Sequence, residues 1–507
     1  MPPFPFPTEI TVRIFALSLP EDDKPTNLAQ TRMSLVRVCR QWREIATGTP
    51  QLWTNISLPF AYVGRRALRL EPSTLNTWLL WSNRQPLTIT LAFPHDLPWQ
   101  LELVYIQVIT AFYEYWRSVR LSLAHRPAAE ALGSHFQHAL APNRDNLRNV
   151  LPNLSQFTFD LRGGFGATNP LVYRVPWSVP LYNALCRSSN LQALTVANWG
   201  TFDITTPPSR AQLTFAPRLR ILKIVQDYRK SQQALPAYHL EGLSGFVGVC
   251  DNLASLTLRF STMNIVQHSP PKPPLDLPKL RSLRIAAEDI DTLATLASAF
   301  RVPNLTVLSL GIDGGIETGA SDILGPHFLR LLQDSAHTLQ DLTLHVSGLF
   351  EEVAYRKALA RLPVLSSLVI GRAYFLDDWA EIFKFLTFNF DDQKPSFPEQ
   401  NLVLERLVFE ITTISPLNDA EPDDVKRFLI GLADMVHSRR PKAAQGHAMA
   451  IDRSPVRPLS VVGIGRNLVG LYTRSVPFAD MPVVRKAWRS LESFVDRELY
   501  DSINWKE

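Results

Sequence analysis

The sequence predicts an α/β fold in which a short all-helical module precedes a long, irregular solenoid of strand and helix repeats. Two observations lead to this prediction. Apolar residues near the start of the chain recur at the three-to-four spacing of amphipathic helices. Further along, a short apolar unit typical of a strand recurs roughly every thirty residues, with amphipathic segments between its copies.

The first predicted helix begins at Pro7. Proline fixes φ and has no N–H to lose at a helix start, and the Glu9 carboxylate suits the positive end of the helix dipole. Ile10, Ile14 and Leu17 then fall on one face, at positions i, i+4 and i+7. This segment is therefore predicted to be an amphipathic helix.

A second helix is predicted to end at Gly48. Its apolar face is formed by residues at the same helical spacing: Leu35, Val38, Cys39, Trp42, Ile45 and Ala46. Of these, Val38, Cys39 and Trp42 are interpreted as local core. The stretch from Pro20 to Thr31 contains two prolines and three acidic residues, so it is predicted to be a surface loop between the helices.

Two helices in so short a segment bury little apolar surface. Several large apolar side chains are left over, which indicates that the module binds a partner: Phe6, Ile10, Phe15, Leu52 and Trp53.

The order of these residues carries a resemblance. Pro7-Thr-Glu-Ile10, Ile14-Phe15, Val38-Cys-Arg-Gln-Trp-Arg-Glu-Ile-Ala46 and Leu52-Trp53 resemble the F-box, the helical module that docks substrate receptors onto the Skp-type adaptor of cullin-RING ubiquitin ligases. The resemblance covers residues 4 to 55. Phe6 stands where a leucine usually precedes the proline, and the polar insertion resembles that of fungal F-box proteins.

The F-box resemblance implies helix-in-groove binding to a Skp-type adaptor and, through it, to a cullin. It implies that the adaptor is contacted by seven residues: Phe6, Pro7, Ile10, Ile14, Phe15, Leu52 and Trp53.

Composition argues against several classes of protein. A net charge of +5 over 507 residues, with no run of five like charges, does not require a nucleic-acid partner. The cysteines are three, far apart and within apolar patterns, so neither a disulfide framework nor a metal cluster is predicted: Cys39, Cys186 and Cys250. No signal-peptide pattern or long apolar run is found, so the chain is expected to be soluble, away from membranes, and cytoplasmic, nuclear or both.

The repeated unit has the pattern Leu-x-x-Leu-x-Leu, with other apolar residues allowed. It begins at eleven positions, the last of which is the weakest: Trp116, Leu154, Leu191, Leu219, Leu253, Leu280, Leu305, Leu339, Leu365, Leu404 and Leu459. The intervals between them run from 25 to 55 residues. Five units are introduced by Pro-x-Leu, which favours a break between a helix and the next strand: Pro152, Pro217, Pro278, Pro303 and Pro363.

Amphipathic helices are predicted between the strands, over residues 100–115, 179–187, 240–250, 290–300, 326–336, 351–362, 377–388 and 423–439. This alternation is typical of an irregular leucine-rich-repeat α/β solenoid, a horseshoe, and resembles the leucine-rich-repeat receptors among F-box proteins. A doubly wound α/β domain also alternates strands and helices. The isolated polar residues between the leucines favour the solenoid, because a buried parallel strand would be continuously apolar.

Four segments are predicted. They are an F-box (1–57), a junction or amino-terminal cap (58–99) with a helix over 67–81 and a strand over 86–91, the leucine-rich-repeat solenoid (100–480), and a helical carboxy-terminal cap (481–507). Proline-rich loops over 204–210 and 265–277 and a basic insertion over 442–457 are candidate client contacts.

In such a solenoid, the residue between the last two leucines of each unit points to the concave face. This central row is Arg120, Thr158, Thr195, Lys223, Thr257, Arg284, Ser309, Thr343, Val369 and Val408, and the next row outward adds Asp160, Arg259, His345 and Glu410. The basic members, Arg120, Lys223, Arg259, Arg284 and His345, would favour an acidic or phosphorylated client. Alternatively, the row is ordinary solvent-exposed strand surface, on which threonine is common.

Catalytic motifs are absent from the sequence. It has no Gly-x-Ser-x-Gly, no phosphate-binding Gly-x4-Gly-Lys-Ser/Thr and no His-Glu-x-x-His. His135 and His138 have a ligand-like spacing but are interpreted as a solvated helix face, and Gly163 to Gly166 is interpreted as a turn. No enzymatic activity, cofactor or metal is therefore expected.

These observations predict a substrate-recognition subunit of a cullin-RING ubiquitin ligase, which docks on its adaptor through the F-box and binds an unknown protein client through the repeats. A non-catalytic interaction scaffold without a ligase role is the first alternative. The second is a nucleic-acid-binding solenoid, which is prompted by the sequence pI near 9.0 and disfavoured by the lack of interleaved aromatic and basic residues.

Overall fold

The fold was examined in a computed structural model that describes residues 6–19, 25–59, 71–140, 150–162, 178–198, 214–226, 240–260, 274–312, 320–346, 359, 362–371, 404–410, 430–435 and 461–464. The chain divides into two compact units. The first is Met1–Leu253 with Asn264–His268, and the second is Ala254–Met263 with Ser269–Glu507. Each unit is described separately.

The amino-terminal module of the first unit is helical, as predicted. It contains α1 (Thr8–Ser18), α2 (Pro25–Val38), α3 (Arg40–Thr47) and a 3-10 turn (Pro50–Trp53). Pro7 is the N-cap of α1 and Gly48 the C-cap of α3, so both predicted helix ends are confirmed.

The predicted second helix is two helices. Cys39 is fully extended (φ −157°, ψ 173°), and its thiol accepts a hydrogen bond from the Trp42 backbone N–H at 3.4 Å. This side-chain cap stabilises a new helix start at Arg40. The predicted loop over Pro20 to Thr31 is also corrected, because α2 already begins at Pro25. Proline is well suited to a first helical position.

The sheet of the first unit begins within this module. In the described residues, its strands are β1 (Asn55–Pro59), β2 (Leu87–Ala92), β3 (Trp116–Leu123), β4 (Gln156–Leu161), β5 (Ala193–Ala197) and β6 (Ile221–Gln226), and each pairs in parallel with the next. The helices are α4 (Pro72–Trp81), α5 (Trp99–Thr110), α6 (Arg126–Ala139), α7 (Ser178–Cys186) and α8 (Leu240–Gly248). The predicted boundary between residues 57 and 58 therefore falls inside β1.

The second unit continues the pattern. Its strands are β7 (Ser255–Phe260), β8 (Leu275–Asp276), β9 (Ser282–Ala287), β10 (Phe300–Arg301), β11 (Val307–Ile312), β12 (Asp341–His345), β13 (Ser367–Gly371), β14 (Arg406–Glu410) and β15 (Val461–Ile464). Among its described residues, helices with complete bounds are α9 (Ile290–Ser298) and α10 (Ala320–Asp334), and residues 430–435 are also helical. The long strands pair in parallel in the order β7, β9, β11, β12, β13, β14, β15, whereas β8 pairs with β10.

Every predicted repeat unit contains a strand. From Leu154 onwards, each long strand begins two residues after the residue that opens its unit. The leucines that alternate along the strands are buried: Leu194, Leu222, Leu256, Leu258, Leu283, Leu308, Leu310, Leu342 and Leu344 are no more than 1% exposed. Alternation of buried and partly exposed residues confirms an α/β solenoid of the leucine-rich-repeat kind.

The sequence missed one helix and misplaced the start of another. The α6 helix was not predicted as a separate element, although Pro127 at its start and buried Ala128, Leu132 and Phe136 at helical spacing were signals for it. The α10 helix begins at Ala320, and Pro326, which was expected to start it, lies inside it.

Some expectations lie wholly or largely outside the described residues. These are the helices over 351–362, 377–388 and 423–439, the cap over 481–507, the turn at 163–166, the two proline-rich loops and the basic insertion.

An asparagine immediately before the opening leucine connects neighbouring repeats at their strand starts. Its side-chain NH₂ donates to the carbonyl that lies two residues before the opening residue of the preceding unit. The donor and acceptor residues are Asn153 to Glu114 (2.9 Å), Asn190 to Pro152 (2.6 Å), Asn252 to Pro217 and Asn304 to Pro278 (2.8 Å). These hydrogen bonds satisfy carbonyls in turns that make no regular ladder.

Within the described part of the chain, no helix is both long enough and apolar enough to cross a bilayer.

Candidate functional site

The first candidate surface is an exposed apolar stripe on α1. Ile10, Ile14 and Leu17 are 45%, 41% and 75% exposed, and Phe6, just before the helix, is 49% exposed. Four large apolar side chains thus face solvent on one short segment. We call these four residues the α1 stripe.

The opposite side of α1 holds the helix in place. Phe15 is fully buried and its ring lies 4.9 Å from that of Trp42, centroid to centroid. Thr11 is also buried, and its hydroxyl donates to the Pro7 carbonyl at 3.2 Å. Because Thr11 and Phe15 are one helical turn apart, they anchor one face and leave the α1 stripe on the other.

Three of the seven residues predicted to contact the adaptor are interior residues. Phe15, Leu52 and Trp53 are 0%, 2% and 1% exposed, so the structure does not support direct adaptor contact by them. They pack inside the chain because the module has a core of its own. The other four, Phe6, Pro7, Ile10 and Ile14, are exposed, and their role stays a prediction.

Trp53 joins the helical module to the segment that contains α4 and β2, which precedes the unit opened by Trp116 and which we call the first repeat. Its indole N–H donates to the Ala46 carbonyl at 2.8 Å, and its ring lies 5.7 Å from Trp78 and 4.7 Å from Trp81 of α4. Val38, which was interpreted as core, is instead 58% exposed at the end of α2.

The second candidate surface is the central row of the strands. In the first unit, Thr90, Arg120, Thr158, Thr195 and Lys223 are direct partners on successive strands. In the second unit the same holds for Thr257, Arg284, Ser309, Thr343, Val369 and Val408. The sequence therefore predicted the register of this row correctly.

The central row is open at some strands and closed at others. Arg120 and Arg284 are exposed, and among the described residues no side-chain hydrogen bond or ion pair of either is found. By contrast, Ser309, Val369 and Val408 are no more than 5% exposed. The central row of the second unit is therefore closed at β11, β13 and β14, whereas Thr343 on β12 is half-buried.

The five predicted client-binding residues fall into three groups. Arg120 and Arg284 are exposed, and Lys223 and Arg259 are half-buried. His345 is 6% exposed, so its assignment to a client surface is corrected. An alanine Cβ built on Gly371 would lie 2.0 Å from His345 Nδ1, which places the imidazole directly over this glycine.

A polar cluster lies beside the central row at the ends of β4 and β5. The Asp160 carboxylate accepts hydrogen bonds from the Ser122 hydroxyl (3.3 Å), from Arg162 Nε (3.1 Å) and from the Asn198 side-chain NH₂ (3.4 Å). Arg162 is therefore paired within the chain, unlike Arg120. The exposed positive charge on this face is centred on Arg120.

A buried carboxylate–imidazole pair was not predicted from the sequence. Glu102 on α5 is fully buried, and its carboxylate accepts hydrogen bonds from the Ala124 backbone N–H at 2.9 Å and from His125 Nδ1 at 2.7 Å. Burial raises the pKa of Glu102, and the contacts with His125 and Ala124 oppose this effect. The glutamate was missed because its position within an amphipathic helix gives no sign of burial.

Burial also affects two thiols and one imidazole among the described residues. Burial raises the pKa of both the Cys186 and the Cys250 thiol to about 12, so both are protonated at neutral pH. The His135 ring contacts Tyr113 edge-on at 5.3 Å, and burial lowers its pKa, so the predicted solvated face holds for exposed His138 only. Among the described residues, no cluster of three metal-ligating side chains is present.

Together, these observations define an α/β solenoid preceded by a helical module that carries an exposed apolar stripe. Comparison with known proteins identifies the module: residues 6–59 match the F-box-like family, so the chain carries an F-box-like domain at this position. No curated protein sequence matches the chain.

Among solved structures, the chain is similar to the one titled "Crystal structure of TLR13-ssRNA13 complex". The two are 14% identical with a TM-score of 0.31, over 76% of this chain and 38% of that chain. The chain thus spans less than two fifths of the length of that structure's chain.

Proposed function

We propose that this protein is the substrate-recognition subunit of a cullin-RING ubiquitin ligase. In this proposal the F-box-like domain binds a Skp-type adaptor, and the open part of the strand face binds a protein client. The match of residues 6–59 to the F-box-like family carries the proposal, since F-box domains generally bind Skp-type adaptors. The chain would act by positioning the client rather than by chemistry of its own.

The α1 stripe is the proposed adaptor contact. An amphipathic helix that presents apolar side chains at i, i+4 and i+7 is suited to lie in an apolar groove. Burial of one isoleucine side chain contributes about 1.5–3 kcal/mol. Loss of two such contacts is therefore expected to weaken adaptor binding by about 100-fold or more.

The test is co-purification and titration of the full chain with a Skp-type adaptor, alongside the double variant Ile10→Glu, Ile14→Glu. Both positions are exposed, so the substitutions leave the core of the module intact. We expect the variant to keep its thermal unfolding midpoint and to lose the adaptor.

Leu80→Glu is the matched control. Leu80 is 61% exposed on α4, outside the α1 stripe, so this variant receives the same kind of charge without touching the proposed contact. Retained adaptor binding by the double variant, or equal loss in the control, would contradict the assignment of the α1 stripe.

The proposed client surface is limited to the strands whose central row is open. These are β2 to β6 in the first unit and, separately, β7, β9 and β12 in the second. Arg120 and Arg284 supply exposed guanidinium groups, which offer paired donors to carboxylate or phosphate groups. An acidic or phosphorylated client segment is therefore part of this proposal.

The ligase role is tested separately from adaptor binding. In cells, deletion of the receptor is expected to lengthen the half-life of a client, and the double variant at Ile10 and Ile14 is expected not to restore turnover. If a bound client keeps the same half-life in both backgrounds, the chain is an interaction scaffold instead.

A further inference from the structure

Arg32 and Trp78 form a cluster of buried hydrogen-bond donors between α2 and α4. Arg32 is 2% exposed and Trp78 is 1% exposed, and the guanidinium carbon of Arg32 lies 5.9 Å from the centroid of the Trp78 ring. Arg32 Nε, Arg32 Nη1 and Trp78 Nε1 are enclosed, and none of them has a hydrogen-bond partner within the described parts of the chain.

The Trp78 indole differs from the other large buried indoles of the first unit. Trp53 donates its indole N–H to the Ala46 carbonyl at 2.8 Å, and Trp116 donates to the Ile109 carbonyl at 3.3 Å. A buried indole in this protein is therefore normally given a helix carbonyl as acceptor. Trp78 has no such acceptor, although it lies beside a cation.

The Arg32 charge is also uncompensated. None of the ion pairs found among the described residues includes Arg32. Burial lowers the pKa of Arg32 to about 10, so the guanidinium is still charged at neutral pH. A buried charge is strongly unfavourable without a counter-charge, and the contact with the Trp78 ring replaces only a small part of lost hydration.

We infer that Arg32 and Trp78 bind a small oxyanion between the F-box-like domain and the first repeat. Its oxygens accept hydrogen bonds from Arg32 Nε, Arg32 Nη1 and Trp78 Nε1. A phosphate or a carboxylate meets this requirement, because both present several acceptor oxygens and a negative charge. The anion then links α2 to α4, and this site is independent of the proposed adaptor and client surfaces.

The test is thermal unfolding of the full chain in inorganic phosphate from 1 to 100 mM, and in acetate over the same range, with ionic strength held constant by chloride. A ligand that binds only the folded chain raises the unfolding midpoint as its concentration rises. We expect a rise of about 3 °C or more in at least one anion. The phosphate and acetate series distinguish the two kinds of oxyanion.

Arg32→Met removes the cation while keeping an unbranched side chain, and Arg37→Met removes an exposed arginine of the same helix. Phosphate also stabilises proteins by exclusion from their surface, and this general effect is common to all variants. The anion-dependent rise should persist in Arg37→Met and disappear in Arg32→Met. Trp78→Phe removes only the indole N–H and part of the ring, and it should reduce the anion-dependent rise. This variant tests the site in case Arg32→Met fails to fold.

Equal anion dependence in the wild type, Arg32→Met and Trp78→Phe would overturn the inference. So would the absence of any rise in the wild type, since the donors would then be hydrated without an anion. Neither result depends on adaptor binding, so this site and the proposed function fail or succeed separately.

Discussion

Gly371 shows how one missing side chain determines the position of a neighbouring ring. The His345 imidazole occupies the space above Gly371, whereas Gly311, which pairs with His345 on the other neighbouring strand, leaves ordinary room: its Cβ would lie 3.6 Å from His345 Cβ. The two glycines therefore differ in what a methyl group would meet, although both lie beside the same histidine.

We predict that Gly371→Ala destabilises the second unit by about 1–3 kcal/mol, because a buried ring must be displaced from a packed site. Gly311→Ala is the matched control and should change the unfolding free energy by less than about 0.5 kcal/mol. The measurement is the denaturant midpoint of each variant. The double variant His345→Ala, Gly371→Ala should remove the steric cost, so additive effects in this double-mutant cycle would contradict the account.

At the residue scale, the sequence predicted the strand register of residues better than it predicted the solvent exposure of their side chains. The central row was placed in the correct register because the side-chain period of a strand fixes which residues are neighbours. Burial of His345 could not be predicted, since it depends on a glycine on the next strand. Phe15 and Trp53 were misassigned for a related reason: an apolar residue at an amphipathic position serves a core as readily as an interface.

At the scale of elements, the boundary between α2 and α3 shows where periodicity fails. Apolar residues continue at helical spacing through Cys39, so the pattern contains no sign of the break. The break depends on the thiol hydrogen bond to the Trp42 N–H, which a weak sulfur acceptor seldom provides. The strand assignments follow from strong periodicity, whereas Pro326 misplaced the start of α10 because proline can also lie inside a helix.

The Glu102 carboxylate connects α5 to the segment that starts α6. Because burial raises its pKa, the folded chain retains a proton on this carboxyl at pH values where the unfolded chain has lost it. The folded state binds more protons in that window, so the unfolding free energy decreases as pH rises from about 4.5 through the folded pKa.

We predict that Glu102→Gln removes this part of the pH dependence while retaining an acceptor for the Ala124 N–H. A single proton contributes a slope of at most about 1.4 kcal/mol per pH unit. The measurement compares denaturant midpoints of the wild type and the variant at a series of pH values above 4.5.

Glu130→Gln is the control, because Glu130 is 46% exposed and pairs with Arg126 on the surface of α6. This control should keep the pH dependence of the wild type. Parallel pH profiles for the wild type and Glu102→Gln would show that the carboxylate does not take up the additional proton.

At the scale of the whole molecule, the F-box-like domain shares a sheet and an aromatic core with the residues that follow it. Its strand β1 pairs with β2, and Trp53 packs on Trp78 and Trp81 of the first repeat. The sequence placed a domain boundary where the helical pattern ends. Strand β1 extends two residues past this boundary, and the tryptophan core that spans it has no compositional signature.

A chain that begins at Leu58 is therefore expected to fold poorly. It lacks most of β1 and all of Trp53, and removal of a buried tryptophan side chain alone costs about 3–5 kcal/mol. We predict a lower unfolding midpoint and increased aggregation, measured by thermal unfolding and size-exclusion chromatography. The double variant at Ile10 and Ile14 should show neither change, and an equally stable truncated chain would contradict the shared core.

The asparagine hydrogen bonds between neighbouring strand starts form a ladder, in which each hydrogen bond is one rung. This ladder affects how the sequence of such a protein can diverge. Each rung fixes only the start of a strand against the start of the strand before it, by one side-chain amide and one turn carbonyl. The length of chain between consecutive rungs does not enter this geometry. Insertions and deletions between rungs can therefore accumulate over evolution without shifting strand register, which is consistent with intervals of 25 to 38 residues between the units that the rungs join.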